Sequence, residues 1–79
     1  NDYLIAQQLN SLPRELPKYV VIKDYTGVIE RDNPISLQSI LFLTDTFSDA
    51  KRKEKNITYL TAEQAELIEL SSDSFVISL

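Results

Sequence analysis

The apolar positions of the chain fall into two rhythms. In "YLIAQQLNSL" (3–12), Leu4, Ile5, Leu9 and Leu12 recur at the three- and four-residue spacing of one helix face. Asn1 and Asp2 precede them as capping residues, and Pro13 ends or kinks the helix. "KYVVIKD" (18–24) is instead a run of β-branched and aromatic residues, which predicts a strand. Gly27, the single glycine, follows in "DYTGVIE". It is expected to supply the positive φ of a hairpin turn, with Val28, Ile29 and Glu30 returning as a second strand.

The segment "NPISLQSILFLTDTF" (33–47) carries more apolar residues than one helix face needs. Asn33 reads as an N-cap, with Pro34 in the first turn, where its missing N–H costs nothing. At about 100° per residue, Leu37, Ile40, Leu41, Thr44 and Phe47 share one stripe. Ile35 and Phe42, seven apart, lie on the opposite side, and Leu43 sits between the faces. The cap and the spacing favour a helix ending near Ala50 over the rival reading of "SILFLT" as a buried strand. Its second apolar face is either covered by the first helix or the C-terminal tail, or offered to a partner.

"KRKEK" (51–55) leads into "NITYL", another strand candidate. In "TAEQAELIEL" (61–70), Thr61 and Gln64 form a capping-box pattern, and Ala62, Ala65 and Ile68 share a face. The tail "SSDSFVISL" reads as a polar turn followed by a strand or a frayed end. The predicted order is α-β-β-α-β-α. It implies one small α+β domain over residues 1–79, with a mainly antiparallel three-stranded sheet covered by helices.

Composition narrows the function more than it names one. The chain has 79 residues, 43% of them hydrophobic and 25% charged, an ordinary globular balance. Its apolar runs "YVVI" and "ILFL" are far shorter than the roughly 20 residues of a membrane span. The net charge of −4 speaks against a dedicated nucleic-acid binder. With no histidine and no cysteine, the usual general base, thiol nucleophile and zinc ligands are missing. One glycine cannot build a P-loop or a dinucleotide fingerprint. No catalytic, cofactor or metal site is therefore expected. The chain begins at Asn1 rather than Met, which suggests an excised module of a longer protein.

Asp24, Glu30 and Asp32 surround the expected hairpin and have the chemistry to coordinate a hard cation, but turn carboxylates are the plainer reading. Asp45 and Asp49 would sit one turn apart near a helix end, first as a solvated face and second as a lure for a cation or a basic partner. Lys51, Arg52, Lys53 and Lys55 read first as partners of the helix dipole and of Asp45 and Asp49, and second as a patch for acidic lipid or nucleic acid. The sequon "NIT" (56–58) has no secretion signal beside it and is set aside.

Three segments together resemble a family. "LPRELPKYVVI" (12–22), "DNPISLQSILFLTD" (32–45) and "ITYLTAEQAELI" (57–68) are similar, in order and spacing, to the N-terminal domain of type II secretion and type IV pilus assembly ATPases. The resemblance is one of apolar positions and turns over residues 10–70, and the tail departs from it. It implies the same small domain and a docking role. Such domains couple the cytoplasmic hexameric ATPase to an inner-membrane platform through a partner with an actin-like cytoplasmic domain. Hydrolysis would belong to a C-terminal domain absent here. The cyclic di-GMP motif of some relatives has no counterpart in this chain.

The expectation is a non-catalytic, cytoplasmic docking module whose interface includes Ile35, Phe42 and Leu43. Two alternatives remain open. A helix-turn-helix over "YLTAEQAELIELSSDSFVISL" would lack a turn glycine and basic recognition residues. A free-standing protein-binding inhibitor is the other.

Overall fold

The computed structural model describes residues 1–30, 32–68 and 73–79. Helix α1 (Asp2–Ser11) starts at Asn1, whose side chain accepts from the Leu4 backbone N–H, and ends two residues before Pro13. After a turn comes strand β1 (Lys18–Ile22). A loop then leads to helix α2 (Ile35–Thr44) and helix α3 (Asp49–Lys55), followed by strand β2 (Ile57–Thr61). Helix α4 (Ala62–Leu67) starts with the predicted capping box, Thr61 and Gln64 exchanging side-chain and backbone bonds. Strand β3 (Phe75–Ser78) closes the sheet. The expected continuation of α4 through 69–70 and the turn at 71–72 lie outside the described residues.

The expected antiparallel sheet is overturned. Among the described residues, three strands run parallel in the order β2-β1-β3, and four helices accompany them. Val20 pairs with Tyr59 on one side and Ile77 on the other. Gly27 does adopt positive φ (95°), but the chain after it does not return along β1. Asn33 is the reason. Its side chain accepts from the Glu30 N–H and donates to the Val28 carbonyl, so these two backbone groups are held within the loop and are not offered to β1. Both edges of β1 are taken instead by later strands, through bonds such as Lys18 N–H to Asn56 O and Phe75 N–H to Pro17 O.

The long helix is also two helices. Asp45 takes a left-handed conformation (φ 55°), and the Asp45 and Thr46 N–H groups turn back to the Phe42 and Leu41 carbonyls. These paired bonds form a Schellman stop. Ser48 then caps α3 by accepting from the Lys51 N–H. At the other end of α2, the N-cap is Pro34 rather than Asn33, whose side chain is committed to the loop.

The core lies between the sheet and α1 with α2. Ala6 and Leu9 meet Leu37, Ile40 and Leu41 over Val20, Ile22, Ile57 and Tyr59. Crossovers that run in opposite directions along a parallel sheet lie on opposite faces when right-handed. Leu60, pointing to the other face, is buried, and α4 packs on β2 and β1. Among the described residues, no helix is long and apolar enough to cross a membrane.

Candidate functional site

Helix α2 has ten residues and no charged side chain. Its buried stripe of Leu37, Ile40, Leu41 and Thr44 fixes its roll against the sheet. The opposite side must then face outward, and it carries Ile35 (81% exposed) and Phe42 (75% exposed). Seven residues at 1.5 Å each put these two about 10 Å apart along the helix. Helix α1 packs beside α2 without covering them. Leu43, 36% exposed, instead lies at the α1–α2 seam, where Asn10 donates its side-chain N–H to the Leu43 carbonyl. A shallow depression of about 140 Å³ opens there between Tyr3, Ala6, Gln7, Asn10 and Leu43. The sequence thus marks two residues of an open helix face and one at its margin.

A buried hydroxyl cluster holds the C-terminal end of this helix. Thr44 donates to the Ile40 carbonyl (2.7 Å), and the Thr46 hydroxyl pairs with those of Thr44 (2.8 Å) and Tyr59 (2.7 Å). Burial pushes the Tyr59 phenol above its ordinary pKa, against hydrogen bonds from Thr44 and Thr46 and the nearby Arg52 charge. Arg52 itself donates to the Thr46 and Phe47 carbonyls, and Lys55 to the Thr44 carbonyl, so α3 clamps the turn after α2. These bonds tie the carboxyl end of α2 and the turn after it to β2 and α3.

The charged candidates disperse. Asp24, Glu30 and Asp32 form no metal-type group, and none exists among the described residues. Asp45 and Asp49 stand on either side of the break, with Lys51 3.8 Å from Asp45 and Lys53 3.1 Å from Asp49. Glu54 pairs with Lys51 and Arg14. Most of the basic run is therefore spent within the fold. Lys18, which carried no expectation, is buried at the amino end of β1, its ammonium on the Pro13 (2.7 Å) and Leu16 (2.8 Å) carbonyls. Desolvation lowers its pKa, opposed by Glu15. It ties the turn before β1 to the sheet.

Two further concave features lie among the described residues. A groove of about 670 Å³ runs between α3 and the 25–29 loop over β2, and Tyr25 and Arg52 are among its walls. A smaller cavity of about 280 Å³ lies at the carboxyl ends of β1 and β2, bordered by Lys23, Asp24, Thr26 and Thr61. Asp24 there has positive φ (63°). A reading built on an antiparallel hairpin has no such end to find. Neither a family model, nor a curated protein, nor a solved structure matches the chain.

Proposed function

We propose that the chain is a non-catalytic protein–protein docking module whose contact surface is the outer face of α2. One observation carries this reading: a helix without a single charge holds Ile35 and Phe42 open to solvent. Burying each side chain in a partner contributes about 1.5–3 kcal/mol. The pair supplies roughly half of a micromolar contact of about 8 kcal/mol, and surrounding contacts supply the rest.

The resemblance to secretion and pilus assembly ATPases names the first partner to try, a cytoplasmic actin-like domain of an inner-membrane platform. That choice rests on segment order alone, because the fold it implied was the antiparallel one. The test is titration of a purified domain of this type with the wild type, Ile35→Asp and Phe42→Asp. The reading expects binding that each substitution weakens about thirtyfold or more, with circular dichroism unchanged. No binding by the wild type removes the secretion and pilus assignment.

A second reading is favoured by the parallel sheet. Open parallel sheets bind ligands beyond the carboxyl ends of their strands. The cavity bordered by Lys23, Asp24, Thr26 and Thr61 stands there and offers groups of both signs to a small polar ligand. Thermal unfolding with inorganic phosphate, with and without a divalent cation, tests it. A stabilisation by phosphate that Lys23→Gln abolishes, or one by the divalent cation that Asp24→Asn abolishes, supports a ligand site, and no shift under any condition removes it.

A further inference from the structure

The groove of about 670 Å³ between α3 and the 25–29 loop shares no residue with the outer face of α2. Three charged side chains line it: Asp49, Arg52 and Lys53. Lys53 and Asp49 pair with each other at 3.1 Å. Arg52 has no carboxylate partner among the described residues, although the chain holds 12 acidic residues against 8 basic ones. Its Nη1 donates to the Thr46 (2.9 Å) and Phe47 carbonyls, which uses both hydrogens of that nitrogen and holds the guanidinium in place. The Nε and Nη2 hydrogens on the other edge meet no described acceptor. Two adjacent N–H groups of this kind match the two oxygens of an acid group.

Tyr25 stands on the loop wall of the groove, packed against the core, and its hydroxyl makes no hydrogen bond to a described residue. Burial raises the Tyr25 pKa and the Arg52 charge works against that rise, so guanidinium and phenol are near each other. Beside them Val28 is 58% exposed and Ile29 is half-buried. We infer that the groove binds a small organic monocarboxylate. Its acid group sits on the Nε–Nη2 edge of Arg52 and accepts from the Tyr25 hydroxyl, and its apolar body lies against Val28 and Ile29. With Lys53 and Asp49 paired, Arg52 is the unbalanced charge among the described lining residues, and a single negative charge meets it. A phosphate dianion would bring a second negative charge towards Asp49, which opposes it. The volume is that of a small-molecule site.

The test uses phenylpropionate, phenylpropionamide and phenyl phosphate as probes. Each is titrated into the isotope-labelled protein while the Arg52 Nε–H and the backbone amides are followed. The expected result is saturable shifts at Arg52, Tyr25 and Val28 with phenylpropionate, and binding of the amide at least about tenfold weaker. Tyr25→Phe keeps the ring and should weaken phenylpropionate about threefold or more. Asp49→Asn leaves Lys53 without its partner and should raise the affinity for phenyl phosphate more than that for phenylpropionate. Equal binding of acid and amide overturns the inference, as do shifts confined to residues outside the groove. Phenyl phosphate as the tighter ligand of the wild type overturns it in favour of a phosphate site. Unchanged affinity in Tyr25→Phe, or no saturable shift with any probe, also overturns it. The docking role is read separately, at position 42, and stands or falls on that result.

Discussion

Single residues carry some of the most exposed consequences of this structure. Tyr59 keeps its proton to higher pH in the folded state than in the unfolded chain, because burial disfavours the phenolate. Its contribution is therefore present below pH 10 and lost as pH rises through the raised pKa, since the unfolded chain ionises first. Tyr59→Phe removes the bond to Thr46 and is expected to cost about 1 kcal/mol at neutral pH. Denaturant unfolding as a function of pH should show the variant and the wild type converging above pH 10. Tyr25, also raised by burial, keeps some alkaline loss in both. Asp45 offers the opposite case. It stands left-handed at the negative end of α2, where its charge is unfavourable, and its contact with Lys51 is a solvent-exposed 3.8 Å. Asp45→Asn keeps a residue that tolerates this conformation and removes the charge, so unfolding should show a gain of about 0.3–1 kcal/mol.

At the scale of elements, the features read correctly from sequence are those set by neighbours a few residues away. Asn1 at the start of α1, and Thr61 with Gln64 at the start of α4, act over three residues, and both stand where the sequence put them. Strand β1 is legible for the same reason. The break between α2 and α3 was missed because Asp45 is no glycine, although Ser48 followed by Asp49 is a start signal inside the supposed helix. The outer face of α2 was legible as an excess of apolar residues, but whether a neighbour covers it depends on where α1 packs. Exposure has a direct consequence for stability. Ile35→Asp should change unfolding free energy by no more than about 0.5 kcal/mol, as surface substitutions do, and Phe42→Asp, which adds a carboxylate in the last turn of α2, should cost about 1 kcal/mol. Leu41→Ala, on the buried stripe, should cost about 2–5 kcal/mol. Denaturant melts of the three variants compare the two faces of one helix.

The direction of strand pairing belongs to the whole molecule, and no local pattern decided it. Gly27 marks a turn whether or not the chain returns beside β1, and the side chain of Asn33 settles that it does not. One global hint was present. "YVVI" is a continuous apolar run, typical of a parallel strand covered on both faces, and not the alternation of a half-exposed hairpin. The parallel order predicts close approaches between Val20 and both Tyr59 and Ile77, and no backbone strand pairing between β1 and residues 28–30. Nuclear Overhauser contacts distinguish the two arrangements. Deleting 75–79 would turn the central strand into an edge and uncover the side chains packed by Phe75, Ile77 and Leu79. A domain this size holds only about 4–12 kcal/mol in total, so the truncated chain should lose cooperative unfolding.

The central claim is that α2 presents its outer face to another protein. The most direct measurement is photocrosslinking in the cell of origin, with a photoreactive phenylalanine analogue at position 42 and a control at exposed Glu63 on α4. The account predicts a discrete adduct from position 42 that Ile35→Asp abolishes and the control position does not form. No adduct from position 42, or the same adducts from both positions, would contradict it.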